Sequence, residues 1–295
     1  MDGSVIDNYF FSTRSDMTRM TTTIACRLLA IDEGRQQLSL VDTATSTFHW
    51  TLDLARYPLA RDLQRLDAQR ALVGFDRGFF EIDIDTGRVL SVCDHWTGVT
   101  AVHRRADGNT LVTGWNLDGT GDVNVLTLDG ALQLVDVARC AGDYVRLMRV
   151  TRAGTYLLST NDHILETTRD LVPLRRFAAP GFEHAWLAER LPDGGTLVSA
   201  GYGAFMAEFD AEGALVRRFG GADEVDAVAP AAAPFFYATF QRLADGRLLV
   251  ANWQGHGPDN GHKGRQLLAF DAARRLVGTW SAPEHISALQ GILVV

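Results

Sequence analysis

Cysteine is scarce in this chain: Cys26, Cys93 and Cys140 are the three among 295 residues, an odd number with no C-x-x-C spacing. That leaves no basis for a disulfide framework or a zinc knuckle, and buried thiols are the simpler reading. Long apolar runs are missing as well. The stretch TTTIACRLLAI is too short to cross a bilayer and reads as a first strand, so no membrane partner is expected. The opening MDGSVIDNYFFSTRSDMTRM has early acidic residues and lacks the apolar core of a secretory signal, so a cytoplasmic location is expected. Met17 and Met20 offer alternative starts, and residues 1–25 read as an N-terminal arm ahead of one domain over 26–295. The net charge of -8 is spread without a basic block or an acidic tail, which argues against nucleic acid as a partner. Nucleophile-elbow, Walker and dinucleotide motifs are absent too, so no redox or nucleotide cofactor is expected.

What the chain does have is self-similarity. VHRRADGNTLVTGW (from Val102), AERLPDGGTLVSAG (from Ala188) and FQRLADGRLLVANW (from Phe240) share an apolar strand, a tight polar turn and a second apolar strand. Weaker copies start at Leu63, Met148 and Leu289. A repeat of this spacing built from short strands means stacked units, and hence a β-propeller. Each unit reads as four antiparallel strands, A to D outward from the axis. In the third unit these are Val99 to Arg105, Thr110 to Trp115, Val123 to Leu128 and Leu132 to Ala138, with Asp107-Gly108 and Asp129-Gly130 as turns. The last unit reads as Ala238 to Leu243, Arg247 to Trp253, Gln266 to Phe270 and Leu276 to Trp280.

The chain ends carry the count. The first unit opens on a B-type strand, Cys26 to Asp32, while Ile286 to Val295 matches an A strand with no B, C or D strand after it. Pairing the two closes a ring and removes the exposed sheet edges. The expected fold is therefore all-β, a six-bladed propeller closed by the C-terminal strand joining the N-terminal blade. Aligned on their A strands, the six units place Gln64, His103, Arg149, Glu189, Gln241 and Gln290 at one register, a polar ring near the channel. Such a ring either carries chemistry or hydrogen-bonds neighbouring blades, and the structural role is preferred.

This register also sorts the loops. B-to-C and D-to-A loops share the end at which A strands begin, and six of the eight histidines (His95, His163, His184, His256, His262 and His285) lie in or beside them. Among these, His184, His256 and His285, with Glu183 as an orienting carboxylate, are the candidate acid-base groups. The long loop NWQGHGPDNGHKGRQ is the strongest candidate, because Gly255 and Gly257 flank His256 and free its backbone to bring the imidazole over the channel mouth. Trp96, Trp115, Asn116, Tyr144, Arg146, Arg149, Asn161, Trp186, Tyr202, Phe236, Tyr237, Asn252 and Trp253 are the candidate substrate-binding residues. Arg146 and Arg149 fall on opposite faces of a regular strand, so one of them is expected to meet an anionic substrate. The competing reading makes them ion-pair partners of Asp143 or Glu189. Metal spacing of the H-x-H or H-E-x-x-H kind is absent, yet three histidines, or Asn116, Asn161 and Asn252, leave zinc and calcium open as alternatives.

Segments such as RADGNTLVTGW and RLADGRLLVANW followed by RQLLAFDAARRLVGTW resemble the broad PQQ-like, NHL and arylsulfotransferase-like group of propeller repeats. The resemblance covers most of the chain at the level of fold. Arylsulfotransferase-like members imply histidine chemistry at the channel mouth, matching His184, His256 and His285. The six-bladed lactonase and gluconolactonase-like group implies acidic and asparagine metal ligands. The expected function is a small-molecule enzyme using acid-base chemistry at the mouth, as a lyase, isomerase, cyclase or hydrolase. The alternative is a non-catalytic scaffold that binds a ligand or a protein.

Overall fold

In the computed structural model, which describes residues 24–142 and 144–295, the strands form six four-stranded antiparallel sheets. Blade II runs Asp62–Arg65, Arg70–Phe75, Gly78–Asp83 and Val89–Asp94, and blade III runs Val99–Arg104, Thr110–Trp115, Val123–Leu128 and Leu134–Cys140. Blade IV begins at Met148–Val150, blade V at Ala188–Arg190 and blade VI at Phe236–Arg242. In blade I the C-terminal strand Leu289–Val294 pairs antiparallel with Arg27–Asp32, and Gln37–Asp42 and Thr47–Asp53 complete the sheet. The ring is thus a six-bladed propeller closed as the repeat predicts. The N-terminal arm, including Met17 and Met20, falls largely outside the described residues, as does Asp143.

Burial explains why each strand has its composition. Middle strands are covered by a neighbouring blade on both faces, and they are apolar without alternation: LLVANW (Leu248–Trp253) is buried throughout. Outer strands face solvent. TFHWTLD (Thr47–Asp53) alternates, and PLRRF (Pro173–Phe177) is accessible up to its last residue, the buried Phe177. The turns joining A to B strands are tight because Gly108, Gly154, Gly194 and Gly246 sit at φ between +79° and +92°, where a side chain would be strained. A short helix, Ala222–Val228, lies in the link from blade V to blade VI and was not read from the repeat. Its signals were local: Asp223 and Glu224 in the first turn, and Pro230 beyond the end.

The polar ring stitches blade to blade. Gln64 donates to the Arg104 carbonyl (2.9 Å) and accepts from the Arg104 amide (2.6 Å), while Gln241 accepts from the Val294 amide (2.6 Å). Arg149 pairs with Asp62 at 2.8 Å, and that buried carboxylate also accepts from the Val102 amide, so one side chain ties three blades. Glu189 pairs with Arg242, not with Arg149. Arg104–Glu81, Arg190–Glu166 and Arg274–Glu208 cross the boundaries between blades II and III, IV and V, and V and VI.

At the ring closure Asp32 binds both ends of the chain. Its Oδ1 accepts from the amides of Gly34 (3.1 Å) and Ala288 (2.8 Å), and its Oδ2 from that of Ser287 (2.8 Å). Ser287 and Ala288 lie 255 and 256 residues along the chain from the carboxylate they share with the local turn. Replacing Asp32 with Ala leaves those buried amides unpaired, so unfolding free energy should fall by about 2–4 kcal/mol. Urea denaturation measures it, and a loss under about 0.5 kcal/mol would place the closing force elsewhere.

His103, in the polar ring, supplies a pH dependence. Burial, reinforced by Arg149, pushes its imidazole down to about 4. The unfolded chain therefore binds more protons between pH 4 and the ordinary value near 6.5, and stability falls as pH drops through that window. The share at stake is at most about 3 kcal/mol. His103→Gln should flatten the acid limb of a plot of stability against pH; an unchanged slope would exclude His103 as its source.

Candidate functional site

The mouth holds a cavity of about 250 Å³, lined by Glu33, Leu59, Arg61, Tyr144, Arg146, His184, Trp186, Tyr202, Phe236, Trp253, His256 and Gln290. These residues come from blades I, II, IV, V and VI. Apart from Gln290, which lies within its strand, they occupy B-to-C loops, D-to-A loops or the strand ends that adjoin them.

One wall is a carboxylate and an imidazole. Glu33 follows the B strand of blade I, and its Oε1 lies 2.8 Å from Nδ1 of His256 while its Oε2 accepts from Trp253 Nε1 at 3.1 Å. Trp253 and His256 meet edge to face at 4.6 Å. The long loop is held in place rather than loose. Asn260 donates to the carbonyls of Gly255 (2.8 Å) and His256 (2.7 Å), and the Ser287 hydroxyl donates to the Gly257 carbonyl (2.6 Å). Gly255 and Gly257 take φ of +105° and +101°, the unusual dihedrals expected of them. From the other side, Arg35 donates to the carbonyls of Glu284 (2.5 Å) and Pro283 (3.2 Å). Gly34 is required by close approach: a Cβ there would lie 2.3 Å from the Gly257 carbonyl oxygen.

The opposite chemistry is cationic. Arg61 donates to the Leu59 carbonyl (3.2 Å) and to the Tyr144 hydroxyl (2.9 Å). Arg146 donates to Asn161 Oδ1 (2.7 Å) and lies over the Tyr144 ring at 4.9 Å and the Trp186 ring at 5.9 Å. Burial, with Arg61 adding to it, lowers the Arg146 guanidinium from its ordinary value against the pull of Tyr144. Neither arginine makes a salt bridge among the described residues, and the enclosed Arg146 Nε and Trp186 Nε1 have no hydrogen-bond acceptor there. His184, at φ +59°, lies against Tyr202 at 5.3 Å. Its own burial, and then the neighbouring Arg146, lower its pKa and favour the neutral ring. Tyr202, Phe236 and Trp253 pack mutually edge to face and make the apolar floor.

Solved structures share this architecture. The chain is similar to a protein of unknown function from Bacteroides caccae, with 20% identity, a TM-score of 0.74 and coverage of 91% of this chain and 98% of that one. A functionally unknown protein from Desulfotomaculum acetoxidans matches at 14% identity and a TM-score of 0.55, over 92% and 99% of the two chains. A streptogramin B lyase matches at 9% identity and a TM-score of 0.55, over 89% of each. At these identities the likeness is one of fold. No protein-family model matches the chain, and no curated protein does.

Of the residues expected from sequence, His184, His256, Tyr144, Arg146, Trp186, Tyr202, Phe236 and Trp253 come together in the cavity, with Asn161 one hydrogen bond behind Arg146. His285, the third candidate acid-base histidine, does not reach the cavity: it is exposed and stacks on Phe48 of an outer strand, at 4.6 Å. Glu183 is exposed and does not line the cavity; the carboxylate in contact with a candidate histidine is Glu33. Trp96 packs with the core of blades II and III, Trp115 is half-exposed, and Asn116 shapes its own loop by accepting from the Gly121 amide at 2.8 Å. Arg149 is spent on Asp62, which leaves Arg146 as the one of the two at the cavity. Tyr237 is fully buried with its hydroxyl on the Gly220 carbonyl (2.6 Å), and Asn252 is buried with its side chain on loop carbonyls and the Phe235 amide. Asn116 and Asn252 are thus committed to backbone groups, and among the described residues no cluster of three or more His, Cys, Asp or Glu could hold a metal ion.

Glu33, Leu59, Arg61 and Gln290 were not among the expected site residues. Two of them had a signal in the register itself. Counting back five places from the polar ring gives Leu59, Tyr144, His184 and Phe236, and three places gives Arg61, Arg146 and Trp186. A Gly34→Ala change should lift the long loop off the first blade. A structure of that variant is expected to show the 2.8 Å contact between Glu33 and His256 broken; an unmoved contact would show that the loop yields elsewhere.

Proposed function

We propose that the protein is an enzyme that moves a proton on a small molecule bound at the channel mouth, with His256 as the base and Glu33 as its partner. The observation that carries this reading is the 2.8 Å contact between Glu33 and His256 at the edge of an aromatic-walled cavity. With its proton on Nδ1 held by a carboxylate, an imidazole keeps Nε2 as the basic nitrogen, the tautomer a general base needs. Trp253, bonded to the second oxygen, fixes the carboxylate in turn. His184, which its surroundings favour as the neutral ring, is a second proton-transfer group rather than a fixed cation.

Elimination is the reaction class we put first, because a base acting beside two arginines can take a proton and leave negative charge where cations stabilise it. One propeller of similar fold is a streptogramin B lyase. Isomerisation, cyclisation and hydrolysis use the same pair of groups in other ways. A metal ion is not needed by this reading, and a cytoplasmic setting is part of the proposal. A ligand-binding scaffold without chemistry is the second reading, favoured by the 75% exposure of the His256 side chain.

The test is a panel of small carbon acids incubated with the protein in D2O and followed by NMR. We expect exchange of a carbon-bound proton, or loss of the group beside it, for at least one member. His256→Ala and Glu33→Gln should each slow that turnover by about 10²- to 10⁴-fold, the usual worth of a positioned acid-base group. Compounds that bind with neither exchange nor elimination would establish the scaffold instead.

A further inference from the structure

We propose that the ligand of this cavity is a small monocarboxylate with an apolar, ring-sized body, its carboxylate seated on Arg61 and Arg146. This deepens the preceding reading in that it assigns the substrate of the same cavity, but it concerns binding alone.

The observation behind it is uncompensated charge. Arginines in the interior of this propeller are neutralised: Arg104 by Glu81, Arg190 by Glu166, Arg274 by Glu208 and Arg149 by Asp62. Arg61 is 8% exposed and, among the described residues, has only a hydroxyl and a carbonyl as side-chain partners. Arg146, also drawn into the wall, has only the Asn161 amide oxygen as a hydrogen-bond partner of its side chain among the described residues. Burying a cation without an anion is costly, and proteins keep such an arrangement where a ligand supplies the missing charge. Each guanidinium also keeps an amino group, Nη2 of Arg61 and Nη1 of Arg146, that makes no hydrogen bond among the described residues.

The sign and size of the ligand follow from the same wall. Arg61 and Arg146 against Glu33 leave one net positive charge among the arginines and carboxylate lining the cavity, which matches a monoanion better than a dianion. The enclosed donors on Arg146 Nε and Trp186 Nε1 add positive potential at the cationic end. At about 250 Å³ the space equals roughly eight waters' worth of liquid, enough for one ring and a short acidic side chain. Tyr202, Phe236 and Trp253 present ring edges and faces that suit such a body. A carboxylate on the arginines directs its neighbouring carbon along the cavity toward the wall that holds His256.

The test pairs acids with their neutral amides: benzoate with benzamide, phenylacetate with 2-phenylacetamide, and 3-phenylpropanoate with its amide. Phenyl phosphate serves as the dianion. Binding is read by calorimetry and by the fluorescence of Trp186 and Trp253. At least one acid should bind about tenfold or more tightly than its amide, and the preference should shrink as salt is raised. Arg61→Gln and Arg146→Gln should each reduce the preference by about tenfold, whereas Glu33→Gln should keep or sharpen it. The salt series on the unaltered protein decides the matter if either arginine variant fails to fold. Acids that bind no better than their amides, or phenyl phosphate outbinding every acid, would overturn the assignment. Acid preference without turnover would leave it standing while removing the acid-base enzyme, and turnover with no acid preference would do the reverse.

Discussion

Closing a ring of sheets with a strand from the far end of the chain is the constraint on which this structure depends. Six blades stacked face to face bury their middle strands only if no blade is left at the end with an uncovered face, and the first blade lacks its own inner strand. Asp32 meets that demand chemically. A buried carboxylate binds the amides of its own turn and those of Ser287 and Ala288, so the two chain ends share one acceptor. The residue after it, Glu33, donates its amide to the Ala288 carbonyl (3.0 Å) and turns its carboxylate toward His256. The closing acceptor and a carboxylate of the candidate site therefore stand side by side on one turn. The geometry of the Glu33–His256 pair is inherited from the closure.

The interior charges fall into two populations with different physics. Pairs such as Arg190 with Glu166 lie across blade boundaries and contribute register more than energy, since desolvation offsets much of their attraction. Arg61 and Arg146 are also drawn into protein but lean on neutral groups, a tyrosine hydroxyl and an amide oxygen. Such an arrangement lowers stability unless something else binds there. Local stability given up while the other interior arginines named above are paired with carboxylates is a pattern expected at sites that recognise ligands.

The architecture was legible in the sequence because the repeat carries it redundantly: Asp107-Gly108 and Asp245-Gly246 mark the same turn in different blades. The polar ring was legible too, including its structural role at Gln64 and Gln241. The site was legible where a residue type stands out in its loop, as with His256 between two glycines or His184 ahead of its strand. Glu33 was hidden for the opposite reason, since a glutamate in a turn rich in charge, DEGR, looks like solvated surface. It becomes a partner of His256 only when blade VI is brought round to blade I, a relation across 223 residues. Arg61 was obscured by the weakness of its repeat copy, although its register matches that of Arg146. His285 misled because equivalent register does not ensure equivalent direction: Gly98 and His285 share the position of His184 without reaching the cavity.

The C-terminal strand has a consequence in time. It leaves the ribosome after every other described strand, and its partner Arg27–Asp32 must wait unpaired on its inner side until then. Contacts so distant in sequence form late and slowly, which exposes incomplete chains to wrong pairing. Because Gln290 lines the cavity and Ser287 braces the His256 loop, the mouth is assembled in the same late step. An unfinished ring therefore lacks the cavity: its wall is complete only once the last described strand has docked.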